Sequence, residues 1–242
     1  MADMGLGYGS EYQLLRALGH HRESFFQTLR NTIGIDESIN WKDYPTDRNS
    51  LSLDGEFCEI ECFKMEPFYK ELNSKWPDFW PVRGHNAQNW DGIFNVGDDW
   101  YFVEAKAHIS ELKSKHKKSI KSDALISRSF QETIDDWFES AKSGDDWLRS
   151  PYYQFANRLA FCHFLRKNKI NAHIVNIFFL NGFEKPQETR DPLKIVDDKL
   201  SVKTIDDWEK AISKEWEQLG VNKASLSGIS YEVFVDCLYP EN

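Results

Sequence analysis

Apolar positions recur at helical spacing from Glu11 to Leu29. Leu14, Leu15, Leu18, Phe25, Phe26 and Leu29 form one stripe, and Gly34 follows as a stop. Residues 56–63 (EFCEIECF) alternate instead, with Phe57, Glu59, Glu61 and Phe63 on one side and Cys58, Ile60 and Cys62 on the other. That pattern predicts a strand, although Phe57, Ile60 and Phe63 would also gather on one face of a helix. A short helix is expected over residues 66–75, opening at Glu66-Pro67 and ended by Pro77. Two β-rich runs follow, residues 89–96 (NWDGIFNV) and 100–107 (WYFVEAKA), separated by the hairpin punctuation Gly97, Asp98 and Asp99. A polar, Lys-rich connection over 108–123 leads to a helix marked by Phe130, Ile134, Trp137 and Ala141. After turn residues at 143–149, Ser150-Pro151 has the form of an N-cap followed by a first-turn proline, opening a helix over YYQFANRLAFCHFLRK. An apolar strand from His173 to Leu180 comes next, then a charged loop, a helix opened by Thr204-Ile205-Asp206-Asp207 in capping-box fashion, and a final strand near Tyr231 to Leu238. This order predicts an α/β fold, a central mixed β-sheet flanked by helices. We expect one domain over residues 1–242, with a core at about 66–180, an N-terminal extension at about 1–65 and a C-terminal α/β addition at about 181–242.

Composition narrows the class. An apolar fraction of 40% with nine Trp is too core-rich for a disordered chain. The longest apolar stretch, Ile174 to Leu180, is under half of what a bilayer requires, and the N-terminus (MADMGLGYGS) lacks a basic segment followed by an apolar one. The expectation is a cytoplasmic protein without a membrane partner. A net charge of −9 argues against a generic nucleic-acid coat protein. Cys58, Cys62, Cys162 and Cys237 are too few and too scattered for a disulfide framework or a CxxC zinc site, and read as reduced core residues.

The hairpin carries the candidate chemistry. Glu104 and Lys106 interrupt an apolar strand whose Tyr101, Val103, Ala105 and Ala107 point to the opposite face. Charges inside a buried strand are paired or used, because desolvating them costs several kcal/mol. If Gly97-Asp98 is a two-residue type II′ turn, Val96 pairs with Asp99 and Asp91 falls opposite Glu104. A loop at Asp98-Asp99 puts Asp91 opposite Lys106 instead, and a three-residue loop without a bulge sends Asp91 to the other face. In either of the first two registers the two carboxylates stand about 5 to 8 Å apart beside an ammonium. Such a pair takes up a proton or a hard cation at neutral pH.

With Asp91 thirteen residues ahead of Glu104-Ala105-Lys106, the chain resembles the PD-(D/E)xK nuclease superfamily, the restriction-endonuclease-like fold. The resemblance implies an αβββαβ core laid over about Glu66 to Leu180. It also implies magnesium or manganese held by Asp91, Glu104 and the Ala105 carbonyl, with Lys106 positioning the attacking water. Many members carry a glutamine on the helix after the lysine strand, and Gln154 stands in a suitable position; Trp90 departs from the pattern, occupying the place of the proline before the first acid. Acid-x-Lys also occurs at Glu111/Lys113 and Asp197/Lys199, and a literal Pro77-Asp78 lies upstream, so the alternating strand and its acidic hairpin partner select the site rather than the bare pattern.

Several residues could support this site. Arg158 lies one turn beyond Gln154, and His108 shares the face of Glu104 and Lys106 if the strand runs that far. Glu71, Glu66 and Glu23 are alternative accessory acids. Lys113, Lys115, His116, Lys117, Lys118 and Lys121 form an acid-free stretch that reads either as a solvated loop or as a grip on a phosphate backbone. Trp76, Phe79, Trp80 and Trp90 read as a packed core edge before a base-stacking platform, and Trp208 and Trp216 as core or interface residues. The leading expectation is a magnesium-dependent phosphodiester hydrolase acting on DNA, less readily on RNA, with a homodimer compatible. A catalytically inactive member of the same fold, used as a binding module, is the alternative.

Overall fold

The computed structural model describes residues 9–42, 57–81, 88–116, 120–182 and 201–238. Its centre is a five-stranded mixed sheet of order β1-β4-β5-β6-β7, formed by Asn40–Trp41, Gly92–Val96, Asp99–Lys106, Asn171–Leu180 and Ser230–Asp236. β4 runs antiparallel to both its neighbours, β1 and β5, whereas β5, β6 and β7 are parallel. Two short strands, β2 (Phe57–Cys58) and β3 (Asn89–Trp90), make a separate antiparallel pair. Parallel neighbours require crossovers, which helices supply here. α4 (Ile120–Trp137), α5 (Gly144–Arg149) and α6 (Tyr153–Lys167) connect β5 to β6, and α7 (Ile205–Leu219) lies between β6 and β7.

The two sheet faces carry separate cores. Tyr101, Val103, Ala105 and Ala107 pack with Leu14, Ala17, Phe25 and Leu29 of α1 (Ser10–His20) and α2 (Arg22–Ile33). The other face, with Trp100 and Phe102, packs against α3 (Tyr69–Phe79), α4, α5, α6 and α7. The aromatic segment belongs to this second core: Trp76, Trp80 and Trp90 are at most 1% exposed, which leaves no ring face for a base. Trp208 is likewise buried and donates its indole N–H to the Phe179 carbonyl at 3.1 Å. Cys62, Cys162 and Cys237 are free thiols.

Local chemistry moves several expected boundaries. The expected helix from Glu11 to Leu29 is two helices meeting at His21, and the second ends at Gly34 with φ 77°, the left-handed cap expected of that glycine. The strand expected over 56–63 is limited to Phe57–Cys58. Glu59 has φ 44° and starts a 3-10 turn over Glu59–Phe63, with its carboxylate accepting from the Trp76 indole at 3.2 Å. α3 begins at Tyr69 and passes through Pro77, which forgoes only its own backbone donor while Trp80 still bonds Trp76. Residues 143–149 form α5 instead of a turn, opened by a Ser143/Asp146 capping box. Ser150-Pro151 does not cap α6, because the Ser150 hydroxyl accepts from Tyr152 N–H in the link between helices. The cap comes from Ser114, whose Oγ accepts from Gln154 N–H at 2.7 Å. Thr204 caps α7 as expected.

Candidate active site

Asp91 lies where the chain leaves one sheet and enters another. Residues 89–96 are not a single strand: Trp90 pairs with Phe57 in the small sheet, and Gly92 pairs with Val103 in the large one. The hairpin register is the two-residue form, with Val96 opposite Asp99 and Gly97 at φ 55°. Asp91 N–H bonds to the Val103 carbonyl, so Asp91 and Gly92 both face Val103, a bulge that displaces Asp91 from the straight pairing with Glu104. Its Oδ2 instead accepts from Ala105 N–H at 2.7 Å. The carboxyl thereby caps the edge of β5 just ahead of the residue at which β4 begins.

Glu104 is 6% exposed, and both its oxygens are occupied. Oε1 accepts from Lys106 Nζ at 2.5 Å and Gln154 Nε2 at 2.8 Å. Oε2 accepts from Arg158 Nε at 2.9 Å and Nη2 at 2.7 Å. Lys106 also donates to Gln154 Oε1 at 2.9 Å, which closes a triangle of Glu104, Lys106 and Gln154. Gln154 reaches it because Ser114 holds the first turn of α6, and Arg158 follows one turn later. Trp90, in the place of the expected proline, has a structural role: the Arg158 guanidinium lies over its ring at 4.5 Å and also donates to the Asn89 carbonyl.

The charges divide unevenly. Burial works to raise the Glu104 carboxyl, but Arg158 and Lys106 outweigh it and hold it below its ordinary range. Burial lowers Lys106, and Glu104 and Asp91 more than reverse this, so the ammonium keeps its proton at neutral pH. Asp91 is pushed up to about 8, first by burial and then by repulsion from Glu104, with Lys106, Ala105 N–H and Arg158 only partly offsetting. The two carboxyls are thus shifted in opposite directions.

A third acid joins from outside the hairpin. Glu215 of α7 is 5% exposed and lines a small cavity with Glu104, Lys106, Gln154, Arg158 and Asn176. Burial raises it to about 8, opposed by Lys106 and reinforced by Glu104. Asn176, opposite Glu104 in the β5–β6 register, donates to Ser230 Oγ at 2.9 Å. Sequence reasoning named neither residue. The signal was present for Glu215, since it continues the stripe Trp208, Ala211, Ile212 and Leu219 that α7 buries.

The other expected participants lie elsewhere. His108 is buried just past the end of β5, which stops at Lys106, and is not a solvated strand-end side chain. Glu71 is exposed and paired with Lys75, Glu23 is exposed, and Glu66 is half-buried near the start of α3. Glu111, of the alternative acid-x-Lys pair, accepts from Ala107 N–H in a 3-10 turn. His116 leaves the lysine stretch to pair with Asp123 at 2.6 Å. Lys113 and Lys115 are exposed and face different clefts. Lys117, Lys118, Asp197 and Lys199 lie outside the described residues, as does the side chain of Lys121.

No family model, curated protein or solved structure matches this chain. Among the described residues, no group of three or more His, Cys, Asp or Glu side chains is arranged to hold a metal ion, and no helix is long and apolar enough to cross a membrane. The Asp91–Glu104 pair offers hard oxygen donors only. Magnesium is commonly held by one or two carboxylates, with water and substrate phosphate completing its shell, so this donor set fits that ion.

Proposed function

We propose that the chain is a metal-dependent phosphodiester hydrolase acting on DNA, less readily on RNA. The observation that carries this reading is the Asp91 carboxyl, bonded to Ala105 N–H just ahead of β4, beside the buried cluster of Glu104, Lys106 and Gln154. Over about 66–180, α3 followed by the antiparallel pair β4 and β5, the crossover helices ending in α6 and the parallel strand β6 supports a restriction-endonuclease-like core, with the third antiparallel strand, β1, supplied from ahead of that range. Asp91, Glu104 and the Ala105 carbonyl would hold the cation. Ala105 N–H is directed at Asp91, and the carbonyl of a strand residue points to the same edge as its N–H. A divalent ion there supplies Lewis acidity toward a phosphate oxygen and lowers the pKa of water.

The chain's own groups do the rest. Lys106 remains an ammonium, so it acts as a charge and a hydrogen-bond donor beside the scissile phosphate and not as a base. Gln154 fixes that ammonium, and Arg158 fixes Glu104. The test is cleavage of single- and double-stranded DNA by purified protein with magnesium or manganese. We expect cleavage that disappears in Asp91→Ala and Lys106→Ala; cleavage indifferent to both substitutions rejects the reading.

One observation favours a second reading, an inactive binding module of the same fold. Both Glu104 oxygens already have partners in Lys106, Gln154 and Arg158 without a cation. Calorimetric titration with manganese separates the two. The hydrolase takes up the ion and Asp91→Ala does not; the module shows no heat in either.

A further inference from the structure

Beside the acidic cluster is a cleft of about 440 Å³ between the 3-10 turn Ile109–Leu112, the start of α6 and the face of α7. Four lysines surround it. Lys113 follows the turn, Lys203 precedes α7, and Lys210 and Lys214 lie one turn apart on α7. All four are exposed, and none has an ion-pair partner among the described residues. Among the described residues, the only acid lining the cleft is Asp207, whose carboxylate accepts from the Thr204 hydroxyl at 2.7 Å as part of the helix cap. On a chain of net charge −9, four uncompensated cations facing one concavity form a local field opposite in sign to the whole. Leu112 lines both this cleft and the cavity of Glu104, Lys106 and Glu215, so the two are adjacent with Leu112 between them. Lys115, two residues from Lys113, lines a different cleft that also holds Asp123 and Asp145. Position in the fold therefore selects the basic surface; adjacency in sequence does not.

We propose that this cleft is the track for a nucleic-acid strand, its phosphates held by Lys113, Lys203, Lys210 and Lys214 and its backbone delivered past Leu112 to the Asp91–Glu104–Lys106 cluster. The inference rests on the phosphodiester reading above and adds where the substrate lies. A polyanion suits the site because each phosphate neutralised releases counterions, which makes the contact strong at low salt and steeply salt-dependent. Three of the four lysines come from Lys203 to Lys214, so binding substrate becomes a function of the C-terminal part of the chain.

The experiment is fluorescence anisotropy of labelled single-stranded and duplex DNA over a salt series in EDTA, with the full chain. It compares wild type with Lys203→Ala/Lys210→Ala/Lys214→Ala and with a control of equal charge change, Lys64→Ala/Lys70→Ala/Lys223→Ala, at exposed positions outside the cleft. We expect the cleft variant to bind at least tenfold more weakly at low salt. Its plot of log affinity against log salt should be flatter by about 2 to 3, and the control should follow wild type. Equal effects of the two variants, or no DNA binding by wild type at low salt, overturn the track. Magnesium-dependent cleavage is read on the same protein preparations exchanged from EDTA into magnesium: weakened binding by the cleft variant without cleavage by wild type rejects only the hydrolase, and cleavage with an unchanged slope rejects only the track.

Discussion

Glu104 is buried with Lys106, Gln154 and Arg158 as its partners, and removing any of them leaves charge where water hardly reaches. Arg158→Met should therefore lower unfolding free energy by about 3 to 5 kcal/mol in urea titrations, the cost of breaking a buried ion pair from one side. A loss under about 1 kcal/mol would mean that Glu104 does not depend on this guanidinium. Asp91 and Glu215 behave in the opposite sense. Both are raised to about 8, so between about pH 4 and 8 the folded chain holds protons that the unfolded chain has released. Their stabilising contribution is full below pH 4 and is lost as pH rises through about 8. Glu232, raised to about 7 by burial, adds to the same trend. Thermal unfolding in EDTA should show a midpoint falling from about pH 4 to about pH 8, and Glu215→Gln, which keeps the shape without the ionisation, should flatten that fall. An unchanged slope would show that Glu215 is not held protonated by its surroundings.

At the scale of elements, the site depends on β4 beginning at the right residue. Gly92 lies under the indole of Trp41 in β1, and a Cβ there would meet Trp41 Cζ2 at 2.4 Å. Trp41 in turn stacks on Phe94 and Phe26, so it has little room to retreat. Gly92→Ala should cost about 1 to 3 kcal/mol by overpacking and weaken the Asp91 cap on Ala105 N–H, measurable as urea destabilisation with faster exchange of that amide. Unaltered exchange at Ala105 would show that the bulge is set by other contacts. The hairpin also indicates what a sequence reveals. Gly97-Asp98 and the alternation around Glu104 made the turn and the two faces of β5 legible. The bulge at Asp91 was not legible, because it arises from β3 pairing with β2, a contact between Trp90 and Phe57 that no local pattern encodes. Ser143-x-x-Asp146 did carry the capping signal of α5, but over a helix of six residues periodicity had too little length to register.

For the whole molecule, the parallel strands β5, β6 and β7 bring into one region residues far apart in sequence, and this decides which candidates meet. Gln154 and Arg158 were legible as a pair one helical turn apart, and α6 carries both to Glu104. The α7 stripe marked Glu215 as buried, but its meeting with Glu104 was hidden because α7 reaches the site only through the β6–α7–β7 crossover. The basic stretch from Lys113 to Lys121 divided for a related reason, with one lysine joining the α7 cleft and another facing Asp123 and Asp145. The net charge of −9 thus coexists with a local cationic track beside an acidic cluster. The central claim is that Asp91, Glu104 and Lys106 form a cation-dependent phosphodiester site. The most direct measurement is a time course of DNA cleavage by the full chain in magnesium and in EDTA, alongside Lys106→Gln at matched folded concentration. The account predicts cleavage in magnesium only, reduced at least a hundredfold by Lys106→Gln, in the range typical for losing a charged transition-state donor. Cleavage that persists in EDTA, or is unchanged in Lys106→Gln, would contradict it, as would the absence of cleavage by the wild-type chain with either magnesium or manganese.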